Sequence, residues 1–102
     1  MSDARLILNT TGGDTGATQT ASNPDLNLDK SAFIQVEIGA GDTVVIEGQL
    51  NSTLSFATIN TYTTNTIESI KLPNTYRARR TVDGGGADSQ VWVQLLDPSR
   101  GL

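Results

Sequence analysis

The sequence predicts an all-β domain: an antiparallel β-sandwich, Ig-like or jelly-roll-like, of six to eight strands with a long N-terminal arm or loop. Three observations lead there. Apolar and polar residues alternate with a period of two in several short runs, the pattern of strands with one buried face. Turn signals separate those runs at roughly 8–12 residues, the spacing of sandwiches and barrels. Thr, Ser, Asn and Gly supply 39 of the 102 residues, against three Glu and two Lys, a mixture that suits short strands and turns over helices.

Residues 4–8 (Ala-Arg-Leu-Ile-Leu) predict a short first strand. Residues 9–30 are polar, rich in turn formers and without a lasting period, so they read as an extended arm, poorly ordered or ordered by a neighbouring chain. The chain thus divides into residues 1–30, a strand and arm, and residues 31–102, the sandwich core of a single domain. Ile34, Val36 and Ile38 alternate with Gln35 and Glu37. After a turn at Gly39-Ala40-Gly41-Asp42-Thr43, the residues Val44, Ile46, Gly48 and Leu50 continue on one face. Hairpin pairing would set Ile38 against Val44, Val36 against Ile46 and Ile34 against Gly48. A turn at Asn51-Ser52-Thr53 then leads to Leu54, Phe56 and Thr58 on the core face, with Phe56 covering Gly48. Asn60 to Asn65 is polar enough for an edge. Ile67, Ile70 and Leu72 precede a turn at Pro73-Asn74. Tyr76, Ala78 and Val82 share a face, Gly84-Gly85-Gly86 reads as a mobile hairpin tip, and Val91, Val93 and Leu95 close the pattern. Arg80 falls on the core face, which predicts a bulge near Arg79–Arg80.

The chemistry available to this chain is narrow. It has no Cys, so no disulfide and no thiolate site, and no His, which removes most zinc sites and every His-based triad. Its net charge of −4 and pI near 4.4 argue against nucleic-acid binding, which needs a basic footprint. No apolar run reaches the roughly 18–20 residues that cross a bilayer, and the N-terminus lacks the basic and apolar regions of a signal peptide. Synthesis in a cytosol, where the chain stays or is assembled into something, follows as the expectation.

Glu37 and Glu47 would lie on one outer hairpin face as two solvated strand carboxylates, without the apolar surroundings that tune an acid for catalysis. Asp25-Leu26-Asn27-Leu28-Asp29 matches the first ligand positions of a calcium loop, but Lys30 stands where glycine is needed and Val36 where the closing Glu belongs. Asn9-Thr10-Thr11 and Asn51-Ser52-Thr53 fit the glycosylation triplet in a Thr-rich chain with no secretion signal. We therefore expect no enzyme, no cofactor and no metal. The residues that stand out are Arg77, Arg79, Arg80 and Trp92. Pairing Val82 with Val91 would place Arg79 diagonal to Trp92, joining a basic cluster to a large aromatic. Arg77, Arg79 and Trp92, aided by Thr10, Thr11, Asp14 and Thr15 of the arm, form the expected partner-binding set; the alternative is that this face is also buried, with Trp92 in a core and the arginines at its rim.

From Gly48-Gln49-Leu50-Asn51-Ser52-Thr53-Leu54 through Leu72-Pro73-Asn74-Thr75-Tyr76-Arg77-Ala78-Arg79 the chain resembles a group of small tailed-bacteriophage virion proteins. Those chains run from a glycine-containing strand end through an Asp-Gly turn to a Trp strand, then Pro, Tyr-Arg-Ala-Arg and a closing strand. Here Asn51-Ser52-Thr53 stands at the turn and Leu54 at the Trp position. The resemblance covers about residues 31–96 and implies a β-sandwich that decorates or cements a capsid, or sits on the tail. It implies the major capsid protein as partner, a virion location and a homo-oligomer, with a trimer favoured at threefold positions of the shell. Leu72-Pro73-Asn74-Thr75-Tyr76 also resembles the tyrosine corner of fibronectin type III domains. A carbohydrate-binding or tail-associated adhesion module is the alternative, with Trp92, Tyr62 and Tyr76 as its candidate aromatics.

Overall fold

The computed structural model describes residues 4–20, 31–51 and 53–95. They form eight strands: β1 (Arg5–Asn9), β2 (Gln19–Thr20), β3 (Ser31–Glu37), β4 (Thr43–Gln49), β5 (Ala57–Tyr62), β6 (Thr66–Lys71), β7 (Thr75–Val82) and β8 (Gln90–Leu95). One short 3-10 turn, Thr10–Gly12, follows β1. The strands make two antiparallel four-stranded sheets, ordered β1-β8-β3-β6 (sheet A) and β2-β7-β4-β5 (sheet B). The all-β sandwich is therefore as the alternation predicted.

The pairing follows a simple rule. β1 pairs β8, β2 pairs β7, β3 pairs β6 and β4 pairs β5, as in one long hairpin of nested strands. Wrapping that hairpin around a core brings β8 beside β3 and β7 beside β4. This is the jelly-roll connection of two four-stranded sheets, and it decides between the two architectures that the sequence left open. Ala32, Ile34 and Val36 of β3, Val44 and Ile46 of β4, Tyr76 and Ala78 of β7, and Val91 and Val93 of β8 fill the space between the sheets.

Two expected hairpins are corrected. β3 and β4 do not pair, and neither do β7 and β8; each couple splits between the sheets and faces across the core. Alternation could not tell these arrangements apart, because both bury the same side chains. The sandwich gives β3, β4, β7 and β8 a partner on each side, and so satisfies more backbone groups than two isolated hairpins would. The Gly84-Gly85-Gly86 stretch is accordingly no hairpin tip but a crossover between sheets. A β-carbon on Gly84 would lie 2.1 Å from the Ala40 carbonyl oxygen, so only glycine allows that loop to seat on the β3–β4 turn.

Phe56 does not cover Gly48. Gly48 faces Ala57, and the space above it is taken by Pro73 and Ile59. Leu50, Leu54 and Val82, expected on the core face, are exposed, because they lie where their strands leave the sandwich. Three bulges adjust the ladders. The one at Ile7 turns both Ile7 and Leu8 into the core, and another leaves Ile59 without a partner in β4. The third falls just past the expected place: Val44 faces Arg80 and Thr43 faces Val82, so Thr81 is the extra residue.

The described part of the arm is not loose. The Gly16 amide donates to the Ala78 carbonyl (2.8 Å), the Arg80 amide to the Asp14 carbonyl (2.6 Å), and Thr15 bridges Arg79. With β1 on sheet A and β2 on sheet B, residues 4–20 close one flank of the sandwich. The rest of the arm, including the Asp25–Asp29 stretch, lies outside the described residues. The opposite flank is closed by β5 and β6, where the Tyr62 hydroxyl donates to Glu68 (2.6 Å) and the Asn60 amide reaches the same carboxylate (3.0 Å). Burial, followed by that carboxylate, holds the Tyr62 proton well above the ordinary phenol range.

Candidate functional site

The structure disperses the expected binding set over three places. Thr10, Thr11 and Asp14 belong to one end of the sandwich. There the Thr10 hydroxyl accepts from the Ser89 amide (2.9 Å) and donates to Asp88 (3.2 Å), and Thr11 donates to Asp88 as well (2.6 Å). Asp14 accepts from Arg80 Nε (2.9 Å). Arg80 also reaches Asp42 and Asp83. Asp42, fully buried, accepts from the Gly84 amide (2.7 Å), the Ser89 hydroxyl (2.7 Å) and Arg80 (3.2 Å). These bonds tie the loops after β1, β3 and β7 together. The polar groups of the arm thus hold the chain's own turns, while Thr15 stays exposed beside Arg79.

Arg77 and Arg79 project from the outer face of sheet B, since Tyr76 and Ala78 between and beside them point inward. Glu47 of β4 sits between them. Arg77 Nε donates to its Oε1 (2.9 Å) and Arg79 Nη2 to its Oε2 (2.8 Å). The Arg77 guanidinium also lies 3.9 Å over the Phe56 ring. Glu47 is therefore neither solvated nor paired with Glu37, which corrects that expectation: β3 and β4 lie in different sheets, and two guanidinium groups cover the carboxylate. The Arg79 hydrogen bond, with Arg77 in support, outweighs burial and holds the Glu47 carboxyl below its ordinary pKa.

Glu47→Gln leaves two adjacent cations without their counter-charge. Both guanidinium groups keep contact with water, so screening limits the loss to about 1–2 kcal/mol, where a fully buried pair would lose about 3–5. Urea unfolding at pH 7 measures it. The difference from wild type shrinks as pH falls through the depressed Glu47 pKa, because protonation removes the same charge in the native protein.

Trp92 lies on the other side of the molecule. Val91 and Val93 point into the core, so Trp92 projects from the outer face of sheet A, opposite the face bearing the arginines. The expected diagonal contact between Arg79 and Trp92 does not exist, because β7 and β8 are not neighbours. Trp92 heads a different group. Leu6, Trp92, Gln35 and Ile67 form one direct cross-strand row over all four strands. Phe33 stands in the next row between Gln94 and Ser69. Leu6, Phe33, Ile67 and Trp92 are 38, 45, 67 and 38% exposed, too much apolar surface on one sheet face to be an ordinary solvated side. Trp92 Nε1 donates to Gln90 (3.1 Å), two residues before it on β8. Leu6, Phe33 and Ile67 were missed in the sequence. Phe33 carried a readable signal, a large apolar residue in the outward phase of a well-defined strand. Leu6 and Ile67 did not, because the β1 bulge and the β3–β6 pairing set their direction.

Among the described residues, no group of three or more carboxylates is placed to hold a metal ion. A shallow groove of about 230 Å³ runs between β1 and the arm, lined by Leu6, Ile7, Gly12, Thr15, Gly16 and Gln19, and it presents no acid–base pair. Comparison of the chain with known protein families, with curated proteins and with solved structures finds no match.

Proposed function

We propose that this chain is a non-enzymatic structural protein of a bacteriophage virion. It decorates or cements the capsid shell by protein–protein contacts with the major capsid protein, after synthesis in the host cytoplasm. The observation that carries the binding part of this reading is the outer face of sheet A, where Trp92, Phe33, Leu6 and Ile67 stand exposed on a rigid four-stranded platform. Aromatic anchors on a rigid support bind a protein partner with little ordering cost. The virion and the capsid come from the sequence resemblance. The jelly-roll fold agrees with that reading and equally with a lectin, since both use it.

The test is Trp92→Ala with purified shells. At 38% exposure the side chain is packed in part on its sheet, so its loss lowers the thermal midpoint by several degrees while the variant stays folded at the binding temperature. Loss of the anchor weakens shell binding by about 2 kcal/mol or more, roughly 30-fold. Unchanged binding by the folded variant removes the sheet A face from the proposal. A second reading has one observation in its favour: Gln35 and Gln94 flank Trp92 and Phe33, and amides beside aromatic rings suit a sugar. Glycan-array binding that vanishes in Trp92→Ala, with no shell binding by wild type, would replace the first reading by this one.

A further inference from the structure

An exposed sheet edge is a template for pairing, and folds normally blunt each one. Three of the four edges here carry such a device. β1 is broken by the bulge at Ile7 and bears Arg5. Among the described residues β2 spans two positions, Gln19–Thr20. β5 is broken by the bulge at Ile59, and the Asn60 side chain accepts the Thr61 amide. β6 differs. Its six residues run in unbroken register with β3, from Ser31↔Lys71 to Val36↔Thr66. Among the described residues nothing pairs with its other side. Glu68 is turned into the Tyr62 and Asn60 bonds, and the strand's other charge, the exposed Lys71, stands at its last position, so the middle of the edge carries no guarding charge. Ile67, the most exposed large apolar residue in any strand, stands on this edge at 67%.

We propose that β6 pairs antiparallel with β6 of a second copy of this chain, joining two A sheets into one of eight strands. The occupant follows from self-complementarity. A two-fold axis normal to the sheet pairs residues of the same face, so one residue must oppose itself. Centring on Glu68 would oppose two carboxylates, and centring on Ile67 would pair only the three strand residues Thr66 to Glu68. Centring on Ile70 would bring Pro73, which lacks an N–H, opposite Ile67. Centring on Ser69 opposes Ser69 to Ser69, Ile67 to Lys71 and Glu68 to Ile70, with no like charges and the Lys71 stem over Ile67. The two Trp92 rows then share one continuous outer face. A five-residue ladder, Ile67 to Lys71 of each copy, is a small interface, so the dimer forms in a concentration-dependent equilibrium. This pairing is two-fold, where the resemblance implied a trimer, and it does not rest on the shell reading.

The test uses purified full chain and three measurements. Sedimentation equilibrium from about 10 to 500 μM reads a wild-type mass rising from monomer towards dimer. Ile67→Lys, with an unchanged thermal midpoint, weakens the dimer at least about tenfold by adding an edge charge. Ser69→Cys, in a chain with no other cysteine, oxidises to a covalent dimer faster than the exposed control Leu54→Cys. A wild type that is monomeric throughout, a trimer, an unweakened dimer in Ile67→Lys, or equal oxidation of the two cysteine variants each overturns the pairing.

Discussion

Asp42→Ala is expected to lower the thermal midpoint by at least about 10 °C, the largest effect of any polar substitution in this protein. Asp42 has no side-chain exposure, and its oxygens gather Arg80 of β7 and both Gly84 and Ser89 of the loop that follows it. Alanine leaves the buried Ser89 hydroxyl and the Gly84 amide without their acceptor. It also leaves the nearly buried Arg80 with only the exposed Asp14 and Asp83 for counter-charge. Asp42→Asn keeps acceptor capacity but removes the charge, so it falls between alanine and wild type. Acid should act through the same group. The Gly84 amide and then the Ser89 hydroxyl, with Arg80 in support, outweigh burial and hold the Asp42 carboxyl below its ordinary value. Its stabilisation is therefore fully present above the unfolded aspartate value, about 3.9, and is lost as pH falls through the lower folded value. Differential scanning calorimetry between about pH 2 and 7 measures both effects. A wild-type midpoint in Asp42→Ala would mean that the three loops hold together without it.

Ile34→Ala and Ile46→Ala should each destabilise by about 2–5 kcal/mol, while Phe33→Ala changes stability by less than about 1 kcal/mol. Ile34 and Ile46 are fully buried at the centres of the two sheets, and truncation leaves cavities that a crowded interior fills only in part. Phe33 is larger than either, but its ring stands on the outer face of sheet A, 45% exposed. The adjacent pair 33 and 34 thus separates size from burial within one strand. Urea denaturation curves with a common slope give the three values. Equal losses at Phe33 and Ile34 would show that sheet A is covered on both faces, and would remove the exposed platform on which shell docking rests. For a domain of this size the Ile34 loss is a large fraction of total stability, so expression of that variant should also fall.

The core was legible because a strand's side chains alternate whatever the strand pairs with. Ile34, Val36, Val44, Ile46, Ala78, Val91 and Val93 are buried as their alternation requires. The bulge near Arg80 was legible for a related reason: a charged residue in the inward phase needs a local change of register or a buried partner, and Arg80 has both. The binding set was less legible. Trp92 projects outward as expected of an anchor, but its neighbours are Leu6 and Gln35 and not Arg79. Glu47 looked like an ordinary outward carboxylate, and nothing local announced that two arginines about 30 positions away would enclose it.

The sequence by itself determined that this chain is all-β, which positions face the core, and where most turns fall. Those properties depend on periods and residue types within a few positions of each other. Only the tertiary structure decided which strands are neighbours. Backbone ladders are chemically alike, so β4 can pair as well with β3 as with β5 and β7 as far as alternation goes. The choice is made by enclosure: the nested wrap buries the inner faces of β3, β4, β7 and β8 and pairs each of them on both sides. Functional geometry inherits that choice. Moving β7 and β8 into different sheets sent Arg79 to one side of the molecule and Trp92 to the other, and assembled the Leu6–Trp92–Gln35–Ile67 row from four strands that no local pattern connects.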